Sequence, residues 1–340
     1  MYRRDFAKAL GRISAGVMAG ALLSLDVGAQ PAAQPDVSEQ PIRIVMGGYG
    51  LSTTSFSQAL KLIGDRLEAK FGDDVEVRYV YNVTDLGYTG GGDLQRLVNS
   101  GALALAYRTM AEGIPALELT ALPFVFSDLN AARAAMDGPL GRAAIETIEA
   151  QTSFRVLGFF ENGFRHVSNS VRPVRMPADL SGLKIRSLSI NARAFELFGA
   201  EPTTISLAEA LPHLEAGTID GQENPFENTV SYNPYLYQRF HTATYHSYLS
   251  RPIFVNRLTF DSWPEALQSE MRAAVADAVI RQRALHDEAE VESVAIIREA
   301  GGEIVELTPE QRAAFVAAVA PMYAEARTRY SRELLELVGL

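Results

Sequence analysis

The stretch Asp179–Glu227 constrains the fold of this chain more than any other. It reads D-L-S-G-L-K-I-R, a short amphipathic run, G-A-E-P-T-T-I-S-L-A-E-A-L, and then G-T-I-D-G-Q-E-N-P-F-E. Leu183 and Ile185 mark a short apolar strand that Arg186 closes. A charge there cannot point into a core without a partner. Asp220-Gly221-Gln222-Glu223-Asn224-Pro225 crowds polar side chains into a turn directly behind a helix. A β-α-β-α order would bring the strand end and the turn to one sheet edge, where open α/β sheets hold ligands. This predicts an anion site built on Arg186 and Asn224. The competing reading for Arg165 and Arg186 is a structural ion pair.

The flanking sequence continues the alternation. Ile42–Met46 predicts a strand, followed by a glycine-rich turn and a helix to Phe71, with Phe56, Leu60, Ile63, Leu67 and Phe71 three or four apart. A dinucleotide fingerprint fails because Thr53 stands where its third glycine belongs, and no phosphate-binding G-x-x-x-x-G-K-[ST] loop occurs. The start of that helix still suits the wall of a small-anion site. Further strands are expected around Val75–Tyr81, Ala102–Tyr107 and Phe154–Phe160. Phe164–Asn169 is expected to leave a first domain and enter a second. Gly90–Gly92 reads as a flexible loop with Asp93 as helix N-cap, and Ile114–Phe126 as a crossover loop. Ser206-Leu207-Ala208-Glu209 is a capping box, with Pro212 early in the helix that follows. Alternating residues from Ala243 to Leu258 predict strands. A helix from Trp263 to about Ala300 would be on the order of 50 Å long, enough to brace two domains.

Composition removes whole classes of chemistry. The chain has no cysteine, which excludes disulfides, thiolate nucleophiles and cysteine metal sites. Its net charge of −10 argues against nucleic acid or an anionic membrane as partner. His241 and His246 are five apart and do not share a helix face as metal ligands; no metal or cofactor is expected. Residues 1–29 read as a targeting segment: Arg3-Arg4-Asp5-Phe6-Ala7-Lys8 fits a twin-arginine pattern, an apolar run follows, and Val27-Gly28-Ala29 offers a cleavage site. An ordinary secretory signal is the alternative. Residues 30–40 read as a disordered leader, and localisation is expected to be the periplasm. No later apolar run reaches membrane length.

Taken together, several motifs resemble the periplasmic solute receptors of tripartite ATP-independent periplasmic (TRAP) transporters, the C4-dicarboxylate-binding family. They are Leu122-Pro123-Phe124-Val125-Phe126, Gly163-Phe164-Arg165, Asp179-Leu180-x-Gly182-Leu183-Lys184-Ile185-Arg186, Gly199-Ala200-x-Pro202-Thr203, Glu209 and Asp220-Gly221-Gln222-Glu223-Asn224-Pro225. The resemblance implies a two-domain α/β periplasmic binding protein fold with hinge strands and a long domain-spanning helix. The domains implied are 41–163 plus about 250–289, and 164–249 plus about 290–340. It also implies that Arg186 grips a ligand carboxylate, that Arg165 assists and that Asn224 hydrogen-bonds the ligand. Tyr49, Tyr107 and Arg108 are expected on the facing wall, and Glu223 among the substrate-binding residues. The expected activity is capture of a small organic acid and its delivery to a transporter's membrane subunits, by a monomer that does no chemistry. A secreted α/β enzyme acting on a carboxylate substrate, with Glu223 or Asp220 as base, is the alternative. Ser187-Leu188-Ser189 after K-I-R, Leu207 and Thr109 depart from the family's commoner residues.

Overall fold

The structure, a computed structural model, describes residues 40–340, so the targeting segment and all of the leader but Gln40 lie outside the described residues. From the first strand the chain alternates as its periodicity requires. β1 (Ile42–Gly47), α1 (Ser55–Phe71), β2 (Val75–Val80), α2 (Gly91–Asn99) and β3 (Leu105–Tyr107) come first, then α3 (Pro115–Thr120), α4 (Leu129–Asp137) and α5 (Pro139–Gln151). β4 (Phe154–Asn169) is followed by β5 (Lys184–Arg186), α6 (Ser189–Leu197), β6 (Glu201–Thr203), α7 (Leu207–Glu215), β7 (Gly221–Asn224) and α8 (Phe226–Ser231). β8 (Phe240–Asn256), α9 (Arg257–Ser262), α10 (Glu265–Glu299), β9 (Glu303–Glu306), α11 (Pro309–Ala318), α12 (Ala320–Arg329) and α13 (Arg332–Glu336) complete it.

These strands make a mixed sheet in the order β2-β1-β3-β8-β4-β7-β5-β6, with β9 beside β8. Parallel strands β1, β2 and β3 lie at one end and parallel β5, β6 and β7 at the other. β4 and β8, 16 and 17 residues long, run antiparallel between them. The segments Phe154–Phe160 and Phe164–Asn169 are thus one strand, because β8 pairs with both. The ladder is irregular between Glu161 and Gly163 and again between Arg165 and Val167. Gly163 makes the bend at φ +80°, a left-handed value that costs a glycine little. This is the two-domain α/β fold with hinge strands.

Two large apolar clusters pack against the sheet. Ile44, Met46, Leu60, Ile63 and Leu67 bury against Leu267, Met271, Val275 and Ala278 of the first half of α10. Further along, α10 packs on α8 and β9, so this 35-residue helix reaches both ends of the sheet. A second cluster joins Leu183, Ile185, Phe195 and Phe198 to Phe315, Val319 and Met322 of the C-terminal helices. Two local expectations differ. Pro115 opens the short helix α3 inside the expected crossover loop, since proline is at home in a first helical turn. Gly91 and Gly92 are helical, and Gly90, not Asp93, is the N-cap; Asp93 is buried and accepts hydrogen bonds from the Thr89 amide and hydroxyl.

Candidate functional site

Arg186 sits at the end of β5, where the parallel pairing with β6 and β7 stops. Its alternation partner Ile185 faces the core, which turns Arg186 to the opposite face. Arg186 is 4% exposed and its Nε donates to Ile205 O at 2.9 Å. Among the described residues, no carboxylate forms an ion pair with it. Burial pulls its pKa down to about 10, with Arg165 acting in the same direction and Glu223 and Tyr49 opposing, so the group is still charged at neutral pH.

Arg165, on β4, differs. Its Nε pairs with Glu223 Oε2, Nη1 donates to Asn162 Oδ1 at 3.0 Å, and Nη2 donates to Glu223 O at 2.7 Å and Asn224 Oδ1 at 3.0 Å. The competing reading of a structural ion pair therefore holds for Arg165 and not for Arg186. Asn224, next to it, donates from Nδ2 to Gln222 Oε1 at 2.7 Å, which leaves one amide hydrogen free of those bonds.

Glu223 needs correcting as a ligand-contacting residue. It is fully buried and does not line the cleft. Besides Arg165 it accepts from the Leu188 amide at 2.9 Å and Asn191 Nδ2 at 3.2 Å, and His246 Nε2 lies 3.5 Å away. Burial alone would raise its pKa; the charges and hydrogen bonds of Arg165 and His246 outweigh that and hold it at about 2. A carboxylate so engaged is an anchor for Arg165, not a base. Asp220 accepts from the Lys184 amide at 2.8 Å and also stays out of the cleft. The sequence pattern placed polar residues at the edge; it could not say which of two neighbours in an extended strand faces inward.

Tyr107 needs a similar correction. It is 1% exposed, stacks on Phe56 with ring centres 5.1 Å apart, and lies 5.9 Å from Tyr49. Tyr49 lines the cleft and Tyr107 backs it. Tyr232 donates its hydroxyl to Tyr49 O at 2.9 Å, tying α8's end to the turn after β1.

The cleft holds about 530 Å³, within the ordinary range for small-molecule sites. Arg108, Arg165, Arg186 and Arg251 line it, and among the described residues no aspartate or glutamate does. In a chain of net charge −10, this is a sharply localised positive site. Arg108 hydrogen-bonds Gln95, and burial draws its pKa down. Arg251 was not anticipated from the sequence. Its signal was the one that betrayed Arg186: a lone charge in an apolar strand, Tyr248-Leu249-Ser250-Arg251-Pro252-Ile253.

A fold of two α/β lobes joined by hinge strands, with a cationic cleft, defines a solute-binding protein. The chain belongs to family 7 of the bacterial extracellular solute-binding proteins, whose model matches residues 49–329. It is 34% identical over 227 residues to a solute-binding protein of Verminephrobacter eiseniae, covering 66% of this chain and 67% of that one. It is 35% identical over 193 residues to the 2,3-diketo-L-gulonate-binding periplasmic protein YiaO of Escherichia coli, covering 56% of this chain and 58% of the relative. A TRAP periplasmic solute-binding protein of Polaromonas sp. JS666 bound to D-erythronate superposes with a TM-score of 0.80 at 25% identity, over 88% of this chain and 99% of the other. The family is one of receptors, and the enzymatic alternative finds no support. No helix among the described residues is long and apolar enough to cross a membrane.

Proposed function

We propose that this chain is a periplasmic receptor that closes on a small organic acid and delivers it to the membrane subunits of a TRAP transporter. One observation carries the reading: among the described residues, four arginines and no carboxylate line the cleft, and the buried Arg186 has no acidic partner. Keeping such a charge unpaired costs several kcal/mol, a cost that a bound anion offsets. A planar guanidinium offers paired donors that match both oxygens of a carboxylate. The relatives' named ligands, 2,3-diketo-L-gulonate and D-erythronate, are carboxylates. Arg165, held in place by Glu223, supports the same carboxylate, and Asn224 offers its remaining amide hydrogen.

In this reading the lobes comprise 41–163 with about 250–289, and 164–249 with about 290–340. The hinge falls where Gly163 pairs with Leu249. Arg186→Ala should weaken binding of the acid by about 3 kcal/mol, roughly a hundredfold. Isothermal titration calorimetry reads this directly; an unchanged affinity would remove Arg186 from the site.

A further inference from the structure

The hinge strands themselves carry polar groups that neither the ion pairs nor the Arg186 site uses. Arg251 lies on β8 opposite Phe160 of β4, and Asn162 follows two residues along β4 beside the same ladder. Both line the cleft. Arg251 is 4% exposed, yet its Nε and Nη1 have no hydrogen-bond partner. The Nδ2 of Asn162 is likewise buried and unpartnered, while its Oδ1 is fixed by Arg165. No carboxylate among the described residues pairs with Arg251. Its guanidinium lies instead over two rings, 4.2 Å from the centre of Phe56 and 5.0 Å from that of Tyr49.

Those rings pack on the guanidinium but accept no conventional hydrogen bond from its N–H groups. Buried N–H groups without acceptors are costly, and the cost is greatest for a charged donor. A surface ion pair would relieve it, but the strand holds the residue inside. The aromatic contact thus leaves a buried, charged donor with N–H groups open to an oxygen.

We infer that Arg251, with Asn162, forms a second recognition point on the cleft floor, which takes an oxygen of the acid remote from the carboxylate held by Arg186. This rests on the Arg186 reading and adds to it a rule of selection. The favoured ligands carry a hydroxyl, keto or second carboxylate oxygen at the far end, and unsubstituted aliphatic acids are rejected because they would leave these donors desolvated and bare. A site built to hydrogen-bond an oxygen discriminates strongly against the analogue that lacks it.

The test compares butanoate, D-erythronate and succinate, acids of one chain length, by calorimetry on the wild-type protein and on Arg251→Met, which keeps the stem but removes the donors. The wild type should bind at least one oxygenated acid about 30- to 100-fold more tightly than butanoate. Arg251→Met should abolish that preference while butanoate binding changes less than about threefold. The erythronate and succinate arms tell a hydroxyl from a second carboxylate. If Arg251→Met does not fold, Arg251→Lys, which keeps the charge without the fork, should lose the same preference. Equal losses for all three acids, or a preference for butanoate, would overturn the second point and leave Arg186 standing. Retained binding in Arg186→Ala would overturn the first reading separately, and a wild type that binds none of the acids would overturn both.

Discussion

Two arginines of the same type, 21 positions apart, do different work because of one neighbour. Glu223 reaches Arg165 and leaves Arg186 free. Glu223→Gln would leave the Arg165 charge buried and unbalanced, so it should destabilise the protein by about 3–5 kcal/mol in urea unfolding. A cost below about 1 kcal/mol would mean that Asn162 and Asn224 suffice. His286, 1% exposed, shows the opposite sign of charge coupling. Burial alone would lower its pKa, but the hydrogen bond to Glu227 and the nearby Glu290 and Glu161 charges raise it to about 9 from 6.5. Because the folded value is the higher, the stabilisation is complete below about pH 6.5 and is lost as pH rises through about 9. The loss should approach ~3 kcal/mol, because each pH unit between the unfolded and folded values is worth about 1.4 kcal/mol. Unfolding free energies measured from pH 6 to 10 should fall in the wild type and stay flatter in His286→Gln; parallel profiles would assign the loss elsewhere.

Secondary-structure elements carry these side chains where they are needed. On α10, Gln282, His286 and Glu290 recur every fourth residue and form one stripe. Gln282 accepts from the Glu161 amide at 2.8 Å, His286 meets Glu227 at 2.7 Å, and Glu290 accepts from the Phe226 and Glu227 amides at 3.2 and 2.7 Å. A helix expected from its length to brace two domains thus grips the bend in β4 and the start of α8 through polar contacts. Gly163 is the tightest point of that grip. A β-carbon there would stand 2.2 Å from His286 Nε2, on a backbone at φ +80°. Gly163→Ala should therefore cost at least about 2 kcal/mol, read as a lowered urea midpoint. A neutral result would show that α10 can shift away. The capping box Ser206–Glu209 and the length of α10 were legible in the sequence, because both are local patterns. The bridging of β4 was not, because it depends on a partner strand about 90 residues later in the chain.

Across the whole molecule, β4, β8 and α10 each pack against elements of both halves, and the cleft opens beside them. Contacts that already cross it include Tyr232 to Tyr49, the Ser55 amide to Glu227 at 3.1 Å, and the Ser189 hydroxyl to Glu112. In the proposed complex, an acid held by Arg186 on one side and by the hinge floor on the other would add contacts that strengthen as the lobes approach. Small-angle X-ray scattering should then show a smaller radius of gyration with saturating acid in the wild type, and no change in Arg186→Ala. Identical curves with and without ligand would argue for a rigid cleft.

The alternation of strands and helices, the receptor class and the buried arginine that ends β5 could all be read from the chain. Each rests on local periodicity, on capping chemistry or on a charge that an apolar strand cannot bury unpaired. The partition of labour among Arg165, Arg186 and Arg251, the withdrawal of Glu223 and Tyr107 behind the wall, and the polar face of α10 could not. They depend on which side chains meet across β4, β7, β8 and α10, and in a low-dielectric interior those meetings decide whether a buried charge is neutralised or left for a ligand.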